Sequence, residues 1–348
     1  MTATALDDLP AGEKSTAAMA LRAAGLAVIA VMVAFLLNNY LTFWRDWPGL
    51  GNLFSQLGWF GAEPLRRPLE DGAVTLGWIQ VLIYVVLLAA VLAYVASTAN
   101  RLVRSDARVL SAAAAFIIRA AFWSVLLIGL VDTVISFLRV EGLLAAVVGE
   151  EMTTQLGLSR FRGAYVHYPL IVISLVIAYF TRTLGFIWLA LLVVVAELQI
   201  VIARFIFSYE QAFMGDLVRF WYASLFLFAS AYTLTEEGHV RVDVLYAGFN
   251  ERTKAWANTL GSAFLGIPLC WVILAMGMGG KASVINSPLL SFEVTQSGFG
   301  LYVKYLMAGF LAVFAVSMML QFTSYFLSSV ANLRDEPGKP APPENPAP

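Results

Sequence analysis

The hydrophobic pattern of this chain consists of long apolar runs separated by short stretches rich in charged residues, glycine and proline. Each run approaches the roughly 20 apolar residues that a helix needs to cross a bilayer. The apolar stretch from Ala164 to Phe207 is too long for one span, and the polar triplet Thr181-Arg182-Thr183 divides it. The pattern predicts about eight spans, over Leu21–Leu41, Val74–Ala96, Ala112–Leu138, Ala164–Phe180, Leu184–Phe207, Leu217–Leu234, Ala255–Met278 and Leu301–Val330.

Composition agrees with a protein whose solvent is lipid. Hydrophobic residues make up 60% of the chain and charged residues only 13%, whereas a soluble domain carries about 25% charge. Between the sixth and seventh spans, Val242, Leu245 and Phe249 recur at helical spacing, which indicates an amphipathic segment lying in the membrane plane. The predicted fold class is therefore an all-α polytopic transmembrane bundle with one in-plane segment.

The distribution of Lys and Arg predicts the orientation of this bundle. Short loops rich in these residues tend to stay in the cytoplasm. Arg101, Arg104 and Arg108 fall in one predicted loop, and Arg241, Arg252 and Lys254 fall in another on the same side. We therefore expect a multi-pass protein of the cell inner membrane with both termini in the cytoplasm. The formal net charge of −1 gives no reason to expect a nucleic-acid partner.

Residues that could carry chemistry are scarce. The only histidines are His167, at the start of a span, and His239, in a charged loop, which does not suit paired haem ligation within the membrane. The single cysteine, Cys270, excludes an intrachain disulfide and a cysteine-ligated cluster. No phosphate-binding loop, nucleophile elbow or metalloprotease motif is present. We expect no catalytic residue, no metal and no cofactor.

Charges at membrane depth are expensive and therefore candidates for a function. In the first four spans we expect Arg119 and Asp132 to be the well-buried charges, and thirteen residues separate them, so they cannot pair directly. Glu197 and Arg204 are seven residues apart and share one helical face. They form either a contact with another subunit or with lipid, or a buried pair that satisfies neighbouring helices.

The segment from Arg204 to Asp243 carries the most specific pattern. Arg204-Phe205 closes the fifth span, and Asp216-Leu-Val-Arg219-Phe220 opens the sixth, where the acid and the base can pair at a helix start. The sixth span ends in Gly238-His239-Val-Arg241-Val-Asp243. This ordered set resembles the small permease subunit, of DctQ type, of tripartite ATP-independent periplasmic (TRAP) transporters.

The resemblance covers about residues 184–333, which would form a four-span module. It implies a large permease subunit and a periplasmic solute-binding protein as partners, besides membrane lipid. The chain would then be a static scaffold in sodium-coupled uptake of an organic acid or a similar solute, with Arg204, Asp216, Arg219, Gly238, His239, Arg241 and Asp243 serving assembly.

The two ends of the chain lie outside the resemblance. Ordinary members lack residues 1–183, which we expect to form an accessory region of about four spans. Residues 334–348 form a proline-rich tail that we expect to be disordered. Two other functions stay open from the residues alone: a self-sufficient small-solute transporter, or a membrane anchor of another complex. No span contains the paired glycine or proline interruptions that mark a transport site, which weighs against the first.

Overall fold

The structure is a computed structural model, and it describes residues 15–182, 186–235, 246, 248–295 and 300–338. All regular elements in these ranges are helical. The long helices are α1 (Thr16–Trp44), α3 (Asp71–Ser97), α4 (Val103–Val140), α7 (Ser159–Phe180), α8 (Phe186–Phe207), α9 (Ala212–Thr235), α10 (Glu251–Met278) and α12 (Lys304–Leu333). Shorter helices are α2 (Gly49–Leu57), α5 (Leu144–Val148), α6 (Glu150–Leu156) and α11 (Asn286–Ser291).

Within the described ranges, eight helices are long and apolar enough to cross a membrane, which confirms the predicted polytopic α-helical bundle. The helix ends differ from the hydropathy boundaries. α4 begins at Val103, so Arg104 and Arg108 lie on its first turns and not in a loop. Arg104 is only 3% exposed. The Gly- and Pro-rich segment after α1 also contains the helix α2.

Two compact units make up the chain. The first comprises residues 1–112, 240–269 and 319–348. Its buried centre is Arg22 of α1, whose Nε donates to Asp106 Oδ2 at 2.7 Å and whose two terminal nitrogens donate to Thr98. Tyr94 donates to the other Asp106 oxygen at 2.9 Å. These contacts join α1, α3 and α4 through an ion pair that is 1% and 3% exposed.

The start of the predicted disordered tail is ordered in this first unit. Arg104 donates to Asn332 Oδ1 at 2.8 Å and to the carbonyl oxygens of Glu336 and Pro337. Arg108 donates to the carbonyl oxygen of Gly338. Residues 334–338 are therefore held in place by the first turns of α4, while residues 339–348 lie outside the described ranges.

The second unit comprises residues 113–239 and 270–318. Its hydrophobic core combines side chains from α4, α8, α9 and the start of α12. Trp221 of α9 donates its indole N–H to the Val125 carbonyl oxygen of α4 at 3.2 Å. A Cβ at Gly129 would stand 2.5 Å from the same indole nitrogen, so only glycine permits this approach. The helices on either side of residue 183 therefore share one core in this unit.

Candidate functional site

Two carboxylates hold consecutive backbone amides just before α12. Asp132 Oδ2, from α4, accepts from the amide of Tyr302 at 2.8 Å. Asp216 Oδ2, from α9, accepts from the amide of Leu301 at 3.1 Å and from the Thr295 hydroxyl at 3.1 Å. These two amides precede α12, which begins at Lys304, and a buried backbone N–H outside regular structure needs an acceptor, which the two carboxylates provide. We call this arrangement, Asp132 and Asp216 on the Leu301 and Tyr302 amides, the carboxylate clamp.

Asp132 is also the centre of a fully buried ion pair. Arg162 Nη1 donates to Asp132 Oδ1 at 3.0 Å, and both side chains are 0% exposed. His167 Nε2 lies 3.1 Å from the same oxygen, and His167 Nδ1 lies 2.8 Å from the Tyr305 hydroxyl. Asp132 Oδ1 therefore accepts from both Arg162 and the His167 ring, and the Tyr305 hydroxyl holds the other ring nitrogen.

A π-turn brings Arg162 and His167 to the same side of α7. The turn spans Gly163–His167, and the Tyr168 amide donates to the Gly163 carbonyl oxygen. In a regular α-helix, residues five apart point about 140° away from each other. The i→i+5 closure of a π-turn places them on one face. Glycine is required at 163, because a Cβ there would stand 2.4 Å from the Phe292 ring.

Tyr302 closes the cluster on one side. Its ring centroid lies 4.0 Å from the Arg162 guanidinium carbon, at cation–π distance. Its hydroxyl accepts from Arg139 and donates to the Gly157 carbonyl oxygen at 3.0 Å. Arg162 Nη2 is buried and has no hydrogen-bond partner among the described residues. The Tyr302 ring therefore offsets part of the cost of burying the guanidinium group.

These contacts correct the sequence prediction for the first four spans. Asp132 is buried as expected, but Arg119 is only partly buried, so the prediction was wrong for that residue. Three charges that were not predicted to be buried, Arg22, Asp106 and Arg162, are at most 2% exposed. Sequence reasoning placed Arg162 in an outer loop and left His167 without a partner. The spacing of five residues between Arg162 and His167 does not predict a shared helix face, because these residues lie on one face only across the π-turn.

Of the candidates in the DctQ-like segment, Asp216 is buried and Arg219 is 75% exposed on its side chain. Their closest N–O distance is 3.6 Å, so the expected pairing is present but long. Arg204 approaches Glu210 at 3.4 Å on the surface. Glu197 is exposed on α8. A buried Glu197–Arg204 pair is therefore wrong, and a contact with another subunit or with lipid is the interpretation that survives.

The remaining motif residues, Gly238, His239, Arg241 and Asp243, lie outside the described residues, as does most of the predicted in-plane segment.

Residues 190–332 match the family model described as "Tripartite ATP-independent periplasmic transporters, DctQ component". Over these residues the chain is similar to the DctQ component. No curated protein and no solved structure matches the chain. The match confirms the resemblance drawn from Arg204, Asp216 and the residues after the sixth span.

The carboxylate clamp joins Asp216, within the matched residues, to Asp132, which precedes them. Every strong acceptor in it is occupied by an amide, a guanidinium, an imidazole or a hydroxyl of the chain itself. Such a network fixes geometry and resists rearrangement, because each partner left alone in a low-dielectric site costs free energy. The arrangement suits a rigid structural element of a multi-pass membrane protein of the transporter type.

Proposed function

We propose that this chain is the small membrane subunit of a TRAP transporter of the inner membrane and serves as a static scaffold for the large permease subunit. The observation that carries the proposal is the match of residues 190–332 to the DctQ component. The large subunit would bind the solute and sodium, and a periplasmic solute-binding protein would deliver an organic acid or a similar solute. The chain would have no enzymatic activity.

The buried networks support a static role. A scaffold needs helices that keep their relative positions while a partner moves, and buried charged groups whose partners come from several helices hold such positions. In the second unit, α4, α7, α9 and the start of α12 meet at the carboxylate clamp. Moving any one of these helices would separate a buried charge from its partner.

The proposed orientation places this clamp on the periplasmic side. With both termini in the cytoplasm, α4 and α8 run outward, so Asp132 lies in the outer half of its helix and residues 279–303 form an outer connection. The clamp would then brace the surface that the solute-binding protein approaches.

Reconstitution tests the proposal. The chain is produced with a candidate large permease subunit, each with its own affinity tag, and purified through either tag. We expect a stable complex, and sodium-driven uptake in liposomes only when chain, permease and solute-binding protein are all present. Uptake by the chain alone, or full uptake by the permease without it, would reject the scaffold function.

A further inference from the structure

The acid Glu197 lies at the middle of α8. This helix has 22 residues from Phe186 to Phe207, and Glu197 is the twelfth. At about 1.5 Å rise per residue it is roughly 16 Å from either end, close to the bilayer midplane. A Glu side chain is too short to reach the interface from there, unlike the long stems of Lys and Arg.

The surroundings of Glu197 on α8 are apolar and open. One turn away along the same side are Val194 and Val201, which are 61% and 48% exposed. The helix packs into the core of its unit through a different face, which includes Ala196 at 2% exposure. No ion pair or hydrogen bond of the Glu197 side chain occurs within the described parts of the chain. An acid in this position would face hydrocarbon, at a cost of a few kcal/mol.

Two other acids at membrane depth, unlike Glu197, are paired with cations of the chain. Asp132 is fully buried and paired with Arg162 and His167. Asp106, at the first turn of α4, is paired with Arg22. Both acids therefore obtain a cation from the chain itself, whereas Glu197 is directed outward. No cation among the described residues pairs with Glu197, and a cation on another molecule that crosses the membrane at this depth would satisfy it.

We propose that Glu197 is the charged centre of the surface that docks the large permease subunit, and that it pairs there with a cationic side chain on one transmembrane helix of that subunit. This inference rests on the proposed function. The exposed apolar residues Val194 and Val201 would pack against the same helix, excluding lipid from the pair. A buried pair of this kind fixes the register of two helices, since a shift by one turn separates the charges.

Co-purification with the permease tests the inference. Tagged chain and permease are produced together, and the permease-to-chain ratio is measured for the parent chain and for Glu197→Leu, Glu197→Gln and Glu197→Lys. We expect each variant to lower the ratio by about tenfold or more, because each leaves the partner cation buried and unpaired. Gln199→Leu is the matched control, since it removes an exposed polar group at nearly the same depth of α8, and it should keep the parent ratio.

The outcomes separate the two proposals. If the parent chain does not co-purify with the permease, the proposed function fails. If the parent binds and Glu197→Leu or Glu197→Gln binds equally well, the function stands and the ion pair is refuted. The isolated Glu197→Leu chain should unfold at the parent temperature or above it, because no contact within the described chain is lost. A fall of its unfolding temperature, or a dimer of the parent chain that the variant dissolves, would overturn the assignment to the permease.

Discussion

Replacing Asp132 with asparagine tests how much the negative charge of Asp132 contributes to the stability of the buried network. Asparagine has nearly the same shape and still offers an acceptor to the Tyr302 amide, which Asp132 holds at 2.8 Å. The Arg162 guanidinium, at 0% exposure and 3.0 Å from the carboxylate, loses its counter-ion. Breaking a buried ion pair from one side costs about 3–5 kcal/mol, since the other charge is left uncompensated. An exposed pair would cost at most about 1 kcal/mol.

The assay is thermal unfolding of the purified chain in detergent, followed by tryptophan fluorescence. With about 2–4 °C per kcal/mol, the Asp132→Asn chain should unfold about 6–20 °C below the parent. Glu151→Gln is the control, because this acid is exposed on α6 in the same unit. It should unfold within about 2 °C of the parent, since surface substitutions change stability by about 0.5 kcal/mol or less.

A second substitution distinguishes the lost charge from lost shape. Asp132→Asn combined with Arg162→Met removes both charges and leaves an apolar side chain beside the Tyr302 ring. The double variant should unfold above the Asp132→Asn single variant, because no unpaired charge remains buried. A single variant within about 2 °C of the parent, or a double variant below the single one, would refute a low-dielectric ion pair at this site.

Three further predictions concern Asp216, the shared core and the orientation. Asp216→Asn should lower the unfolding temperature, whereas Arg219→Ala should leave it nearly unchanged. The swap Asp216→Arg with Arg219→Asp should not restore the unfolding temperature, because the Leu301 amide and the Thr295 hydroxyl need an acceptor at position 216. Recovery in the swap would show that the ion pair itself stabilises the chain. A chain starting at Thr181 should fail to yield a monodisperse protein, because it lacks the α4 side chains of the shared core; a stable, monodisperse fragment would contradict this. Reporter fusions after Ala96 and Val330 should both report a cytoplasmic location, and a periplasmic signal at either would reject the orientation.

The number and order of the spans could be predicted from the sequence because hydropathy measures the requirement that lipid imposes on each helix separately. The helix ends were less predictable. α4 extends back to Val103, beyond its apolar run, because Arg22 and the segment after α12 satisfy the charges on its first turns. Such compensation involves residues more than 80 positions apart, and no local pattern reports it.

The polar contacts were predicted only where the partners are close in sequence. Asp216 and Arg219 were recognised from helical spacing, although the stronger partners of Asp216 are 79 and 85 residues away. The spacing of seven residues suggested a Glu197–Arg204 pair, but Arg204 lies at the end of α8 and approaches Glu210 in the following segment. Helical spacing shows which residues share a face and does not show what that face meets.

The carboxylate clamp shows one structural contribution of the helices that precede the family match. The family match begins at residue 190, yet the amides that precede α12 are held by one acid from each side of that boundary, Asp132 before it and Asp216 within it. The two acids act on neighbouring residues, Leu301 and Tyr302, so the position of α12 depends on both. The helices that precede residue 190 therefore supply a second buried carboxylate at the same point, and this carboxylate adds to the constraint that Asp216 places on the start of α12.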